Sequence, residues 1–145
     1  MFVEGLMDLK AQIMRDEGLR LKVYIDSLGH PTIGFGRALD VQGISLAEAE
    51  LMLDNDILEY RAGVLSRLPW SATLDEPRLA VLVGMAFNLG LRGLLGFRRM
   101  LEAAERGDWP AAATEMLDSR WATQVPVRAG RLALQMQTGK WDGAG

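Results

Sequence analysis

RDEGLRLKVYIDSLGHPTIGFG, residues 15–36, is the segment that carries the main signals for the fold. It follows a run of apolar residues at helical spacing, namely Phe2, Leu6, Leu9, Ile13 and Met14. Gly18 comes directly after Glu17, and glycine is common just past the end of a helix. We therefore predict Glu17 in or near the last turn of a first helix. The rest of the segment mixes β-branched and aromatic residues with turn residues, which predicts a β-hairpin or small meander.

The second predicted strand carries an unusually small set of side chains on one face. Alternation places Thr32, Gly34 and Gly36 on that face, and Ile33 and Phe35 on the other. A face made of a hydroxyl and two glycines lets an extended ligand approach the backbone closely. The alternative is that the glycines mark a twist or a bulge.

Beyond this element the pattern becomes helical. Ser45 stands three residues before Glu48, the spacing of a capping box, and a long helix is predicted from about Ser45 to Ser66. Gly63 would be a flex point of that helix or would allow tight packing. Thr73 and Glu76 repeat the capping-box spacing, with Pro77 in the first turn.

The C-terminal part of the chain is predicted to be entirely helical. The run LAVLVGMAFNLG, residues 79–90, is apolar all round and predicts a buried central helix. Further helices are expected at about Phe97–Arg106, Trp109–Ser119 and Pro126–Gln137, with Gly107 ending the first and Asp108 capping the second. The predicted fold class is α+β, mainly α, with one small β element near the N-terminus.

Composition excludes several classes of protein. The chain has 145 residues, 49% hydrophobic and 24% charged, which is typical of a globular protein and not of a disordered one. It has no cysteine and one histidine, so a metal site would rely on carboxylates and His30; we expect no metal and no cofactor. A run of about 18 uninterrupted apolar residues is lacking, and no membrane-spanning helix is expected. The start, MFVEGLMDLK, lacks a basic region and is not predicted to be a secretory signal.

Charge is distributed unevenly along the chain. Residues 1–60 hold five basic and eleven acidic side chains (net −6), and residues 61–145 hold eleven and eight (net +3). This asymmetry suggests two lobes with different surfaces, or simply two solvated faces. Because the whole chain is acidic at −3 and has no cluster of basic residues, we expect no nucleic-acid binding.

Three polar residues within sixteen positions could form a catalytic site: Glu17, Asp26 and Thr32. Glycoside hydrolysis needs one protonated carboxyl group and one ionised carboxylate. Glu17 would lie at the negative end of a helix dipole, which favours the protonated form that a general acid needs. Asp26 could stay ionised and hold a water together with Thr32. The alternative is that these side chains are caps or solvated charges, and that His30 is a solvated turn residue.

The residues 15–36 resemble glycoside hydrolase family 24, the family of the lysozyme of T-even bacteriophages. The family pattern is Glu, eight residues, Asp, five residues, Thr, which Glu17, Asp26 and Thr32 match. The strings AFNLGLRGLLGF (86–97) and SRWATQVPVRAGRLALQMQTGKW (119–141) are also similar to it. The resemblance implies a lysozyme-like fold: a small N-terminal lobe with a β-hairpin, joined by a long helix to an all-helical C-terminal lobe. It implies a single lysozyme domain over 1–145, with an N-terminal lobe at about 15–60 and a helical lobe at about 61–145 plus the first helix.

The resemblance also implies roles for individual residues. Glu17 would be the general acid, Asp26 and Thr32 would position the attacking water, and the anomeric carbon would be inverted. The implied substrate is the N-acetylmuramic acid/N-acetylglucosamine strand of peptidoglycan. Supporting or substrate-binding residues would be Gly34, Phe87, Asn88, Gly90 and Arg128, with Arg128 pairing with the acid. For Asn88 a helix C-cap, and for Arg120 and Trp121 a core or capping role, are the alternatives.

Two departures from the family pattern stand out. Arg37 occupies the place of a histidine, so a buried histidine–aspartate pair is not expected, and the stretch 37–43 is shorter, which implies a smaller and more open cleft rim.

The resemblance favours a phage or prophage endolysin, or a muramidase within a tail or effector assembly. It would be a monomer in the host cytoplasm before lysis, acting on the periplasmic wall, with a hole-forming partner (a holin) for export. One alternative is a non-catalytic peptidoglycan-binding module on the same fold. Another is membrane disruption by residues 126–137, but its two arginines are too few for strong membrane attraction, and no stable membrane insertion is expected.

Overall fold

The computed structural model describes residues 4–143, so the predicted helical position of Phe2 lies outside the described part. Within that range the chain forms seven α-helices, one 3₁₀-helix and three strands. In chain order these are α1 (Glu4–Glu17), β1 (Arg20–Ile25), β2 (Pro31–Gly34), β3 (Arg37–Ala38), α2 (Leu46–Arg67), the 3₁₀-helix Pro69–Thr73, α3 (Glu76–Leu95), α4 (Arg98–Glu105), α5 (Trp109–Leu117), α6 (Arg120–Gln124) and α7 (Pro126–Thr138). The mainly helical α+β fold class, with its small sheet near the N-terminus, is confirmed.

Two compact units divide the chain within α2, at Leu51 and Met52. The family resemblance implies a boundary near residue 60 and a first helix that belongs to the later lobe, whereas α1 lies in the first unit here. The assignment of the whole chain to one lysozyme domain stays a prediction.

The first unit contains an antiparallel sheet in the order β1-β2-β3, so the predicted meander is present. Thr32 in β2 pairs with Tyr24 of β1 on one side and with Ala38 of β3 on the other. The predicted continuous face of Thr32, Gly34 and Gly36 is wrong. Gly34 and Gly36 have φ angles of 72° and 84°, in the left-handed region, so β2 ends at Gly34 and the next two residues form a turn. The glycines mark the turn into β3, which is close to the alternative interpretation.

The core of the second unit is built around α3, as the apolar run predicted. The largest fully buried side chains there include Leu79, Leu82, Met85, Leu94, Met100, Met116 and Met136. By length and composition α3 also qualifies as a candidate membrane span, which the sequence did not predict. Because its buried residues are part of this core, packing accounts for the hydropathy.

Local capping signals had mixed outcomes. The Ser45–Glu48 box is confirmed: the Ser45 backbone N–H donates to Glu48 Oε1 at 2.8 Å, and the Glu48 N–H donates to Ser45 Oγ at 3.1 Å. The Thr73–Glu76 box is wrong, because Thr73 belongs to the 3₁₀-helix and its hydroxyl donates to the Trp70 carbonyl. Asp75 caps α3 instead, accepting from the Arg78 N–H.

Gly63 of α2 and the short helix α6 both belong to the second unit. A Cβ at Gly63 would lie 3.2 Å from Leu91 Cδ2, which supports tight packing as the reason for this glycine. The sequence did not predict α6, whose N-cap Ser119 accepts from the Ala122 N–H at 3.1 Å.

Candidate active site

Glu17 is the last residue of α1, as predicted. The chain leaves the helix through Gly18, which has φ of 71° and donates its N–H to the Met14 carbonyl at 3.0 Å. The Glu17 carboxylate reaches the turn after β2. A Cβ built on Gly36 would lie 2.7 Å from Glu17 Oε2 and 3.2 Å from its Cδ, so this carboxylate occupies space that only a glycine leaves open.

Asp26 is held at the start of the β1–β2 turn. Its Oδ1 accepts the backbone N–H groups of Leu28 at 2.9 Å and His30 at 2.8 Å. The hydrogen bond from the His30 N–H, reinforced by that of Leu28, lowers the pKa of Asp26, although burial acts in the opposite direction. Asp26 is therefore an ionised carboxylate at neutral pH.

Thr32 is buried, 2% exposed, and its hydroxyl donates to the His30 carbonyl at 2.9 Å. The same carbonyl accepts the Asp26 N–H at 2.9 Å. Asp26 and Thr32 are thus connected through the peptide groups of His30, for which the sequence favours a solvated turn position.

Two ion pairs in the first unit were not predicted. His30 Nδ1 lies 2.9 Å from Asp40 Oδ2. Arg37 pairs with Glu48 and donates to the Gly43 carbonyl at 3.3 Å, so the short stretch 37–43 is tied to the first turn of α2. The Ser45 N–H, with Arg37 beside it, lowers the pKa of Glu48 to about 2.

The remaining predicted site residues belong to the second unit. Phe87 is 45% exposed and packs edge-on against Tyr60, with ring centroids 5.6 Å apart. Gly90 interrupts the helical geometry of α3 at φ 78°. Arg128 and Phe87 line one cavity of about 590 Å³, together with Arg61 and Glu76.

Asn88 makes a contact that neither interpretation of the sequence anticipated. Its Oδ1 accepts the indole N–H of Trp121 at 2.7 Å. Trp121 is 4% exposed and packs edge-on against Phe97, which supports the core role for this tryptophan. Arg120 lines a second cavity of about 630 Å³, together with Arg98 and Arg99.

The geometry therefore groups Asp26, Thr32 and His30, and sets Glu17 against Gly36, within the first unit. Gly34 ends the strand that carries Thr32. Among residues 4–143, no group of three or more histidine, aspartate and glutamate side chains is placed to hold a metal ion. The catalytic and substrate-binding roles of all these residues stay predictions.

Sequence comparisons identify relatives among phage proteins and among the probable lysozymes of Dictyostelium discoideum. The chain is 30% identical to the pre-baseplate central spike protein Gp5 of Enterobacteria phage T4, over 96% of this chain but only 29% of that protein. It is 26% identical to the probable T4-type lysozyme 1 of Dictyostelium discoideum, over 90% of this chain and 94% of the relative. It is 31% identical to the endolysin of Salmonella phage P22, over 73% and 76%.

A family model also matches most of the chain. The model described as phage lysozyme matches residues 14–135, which include Glu17, Asp26, Thr32 and Arg128 as well as the core helix α3. The chain belongs to the phage lysozyme family.

Proposed function

We propose that this protein is a peptidoglycan-degrading muramidase that hydrolyses the β-1,4 bond between N-acetylmuramic acid and N-acetylglucosamine. Family membership and the lysozyme and endolysin names of its relatives support a lytic action on peptidoglycan. Because one fold can host more than one function, the chemistry of the site decides between them. The observation that carries it is the different environment of two carboxyl groups in the first unit, at Glu17 and Asp26.

Glu17 has the position of a general acid. It is the last residue of the 14-residue helix α1, directly before the chain turns into β1. Its carboxyl group is exposed and lies against the backbone of Gly36, so a glycosidic oxygen can reach it. Protonated Glu17 donates its proton to that oxygen as the bond to the anomeric carbon breaks.

Asp26 and Thr32 have the opposite environment. Two backbone N–H groups hold the Asp26 carboxylate ionised. The Thr32 hydroxyl bonds to the same His30 carbonyl that accepts the Asp26 N–H. The carboxylate accepts a proton from a bound water, whose oxygen attacks the anomeric carbon on the face opposite the departing sugar. The water oxygen becomes the hydroxyl group on the anomeric carbon of the product, and the configuration of that carbon is inverted, as expected when a carboxylate acts through water.

The second unit supplies candidates for sugar recognition. The indole N–H of Trp121 already donates to the side-chain oxygen Oδ1 of Asn88. The side-chain amide nitrogen of Asn88 is therefore the group that would donate to an acetamido carbonyl. Exposed Phe87 offers an apolar surface. Gly90 interrupts the helical geometry of α3 shortly after Phe87 and Asn88. Arg128 is an exposed cation, and we propose that it has the supporting role that the resemblance implies.

We further propose that the protein serves host-cell lysis as an endolysin, monomeric, held in the host cytoplasm until a holin gives it access to the periplasmic wall. The match to the P22 endolysin, at similar length, supports this role. The similarity to part of the T4 spike protein supports the alternative, a muramidase carried in a tail assembly. Neither role involves nucleic acid.

The test is reducing-end release from purified peptidoglycan by the parent, Glu17→Gln and Glu102→Gln. Glu102 is an exposed carboxylate on α4, so it controls for the loss of one charge. We expect activity in the parent and in Glu102→Gln and none in Glu17→Gln, with equal circular dichroism in all three. Tight glycan binding without reducing ends in the folded parent would instead support the binding-module alternative.

A further inference from the structure

We propose that His30 is a positioning residue for Asp26 and Thr32: its side chain, paired with Asp40, clamps the 26–30 turn, while its backbone holds Asp26 and the Thr32 hydroxyl. The inference rests on the proposed function, because it assigns His30 a part in holding the water that Asp26 and Thr32 are proposed to activate.

The backbone of His30 makes three of the contacts that define this part of the site. Its N–H donates to Asp26 Oδ1 at 2.8 Å. Its carbonyl accepts the Asp26 N–H and the Thr32 hydroxyl, each at 2.9 Å. Rotation of the His30 peptide groups would therefore displace the carboxylate and the hydroxyl together.

The side chain of His30 links this turn to the segment that follows β3. Its Nδ1 lies 2.9 Å from Asp40 Oδ2, and Asp40 comes two residues after the end of β3. The Leu39 N–H donates to the Pro31 carbonyl at 2.7 Å, next to the same contact. The His30–Asp40 pair thus fixes the turn from outside, while the backbone of His30 fixes Asp26 and Thr32 from within.

The charges around His30 favour its protonated form. The hydrogen bond and charge of Asp40, with a smaller contribution from the charge of Asp26, raise the pKa of His30 above its ordinary value. Asp40 and Asp26 are the charged groups that act on this imidazole from the segments packed against it. In turn, the His30 charge lowers the pKa of Asp26, in addition to the stronger hydrogen bond from the His30 N–H.

The expected effect is moderate, because the two side chains of the pair are 37% and 46% exposed. Partly exposed ion pairs change equilibria by a few-fold. We expect His30→Gln to lower kcat for reducing-end release about threefold with little change in KM. The acid limb of the pH–rate profile of His30→Gln should move to higher pH, because the loss of the His30 charge raises the pKa of Asp26.

The experiment combines pH–rate profiles with NMR titration of the same proteins: parent, His30→Gln, Asp40→Asn and Arg106→Gln. The chain has one histidine, so its imidazole signals are unambiguous. Arg106→Gln removes a comparably exposed ion pair to Asp108, outside the site, and should leave the profile unchanged. Asp40→Asn should lower the measured pKa of His30, and the Asp26 carboxyl carbon should titrate at higher pH in His30→Gln than in the parent.

Each outcome decides a separate claim. An acid limb that moves in His30→Gln, together with the Asp26 titration, supports the inference, since a purely structural defect would lower the folded fraction without moving the limb. An active parent whose acid limb and Asp26 titration are unchanged in His30→Gln overturns it and leaves the proposed function intact. A folded parent that releases no reducing ends overturns the proposed function, and the positioning role falls with it.

Discussion

Replacing Gly36 with alanine should reduce catalysis far more than it reduces stability. The new Cβ would lie 2.7 Å from Glu17 Oε2, well inside van der Waals contact, and Gly36 has φ of 84°, where an L residue is strained. The backbone strain costs about 1–2 kcal/mol. Since Glu17 Oε2 is the far end of a flexible side chain, the clash is relieved when the carboxyl group moves away. A misplacement of roughly 1 Å in a catalytic group costs about 100-fold in rate.

Gly107→Ala is the matched control for Gly36→Ala. Gly107 follows α4 with φ of 77°, and a Cβ there would make only an ordinary contact, 3.8 Å from the Trp109 ring. Both variants should lower the midpoint of thermal unfolding by about 3–8 °C. At a temperature where both are folded, reducing-end release should fall about 100-fold in Gly36→Ala alone. Equal activity in the two variants would refute the argument that Gly36 leaves room for a catalytic Glu17.

Three further predictions concern pH, packing and stereochemistry. Glu48→Gln should flatten the acid dependence of stability, because the pKa of Glu48 is about 2 when folded against 4.5 unfolded. Its stabilising contribution is present above pH 4.5 and is lost as the pH falls toward 2. The midpoint of thermal unfolding would be measured across that pH range for both proteins, and the same dependence on pH in parent and variant would contradict this prediction. Trp121→Phe removes the N–H donated to Asn88 Oδ1 and should lower the free energy of unfolding by about 1–3 kcal/mol in urea, whereas no loss would mean that the contact contributes nothing. Proton NMR of fresh digests should show the α-anomer first; initial β-anomer would contradict attack by an Asp26-held water.

Features set by neighbouring residues were predictable from the sequence. The end of α1 at Glu17 and the cap of α2 at Ser45 each depend on contacts within four residues, and both are confirmed. Gly107 and Asp108 likewise mark the boundary between α4 and α5 as predicted, with Asp108 accepting the Ala111 N–H.

Features that depend on tertiary context were not predictable in this way. The His30–Asp40 and Arg37–Glu48 pairs join residues ten and eleven positions apart, and the Trp121–Asn88 contact spans thirty-three. Periodicity also failed at Gly34, because alternation assumes an extended backbone and a glycine with positive φ leaves it. The family pattern selected Glu17, Asp26 and Thr32, but it did not indicate that His30 connects two of them.

The identity of the reducing sugar released from peptidoglycan decides whether this protein is a muramidase that uses Glu17 as its acid. Digests by the parent and by Glu17→Gln would be reduced with borodeuteride and analysed by mass spectrometry, with circular dichroism to establish that both proteins are folded. We predict deuterium in muramitol ends for the parent and no new ends for the variant. Labelled glucosaminitol ends, or equal muramitol from parent and variant, would contradict a muramidase that uses Glu17 as its acid.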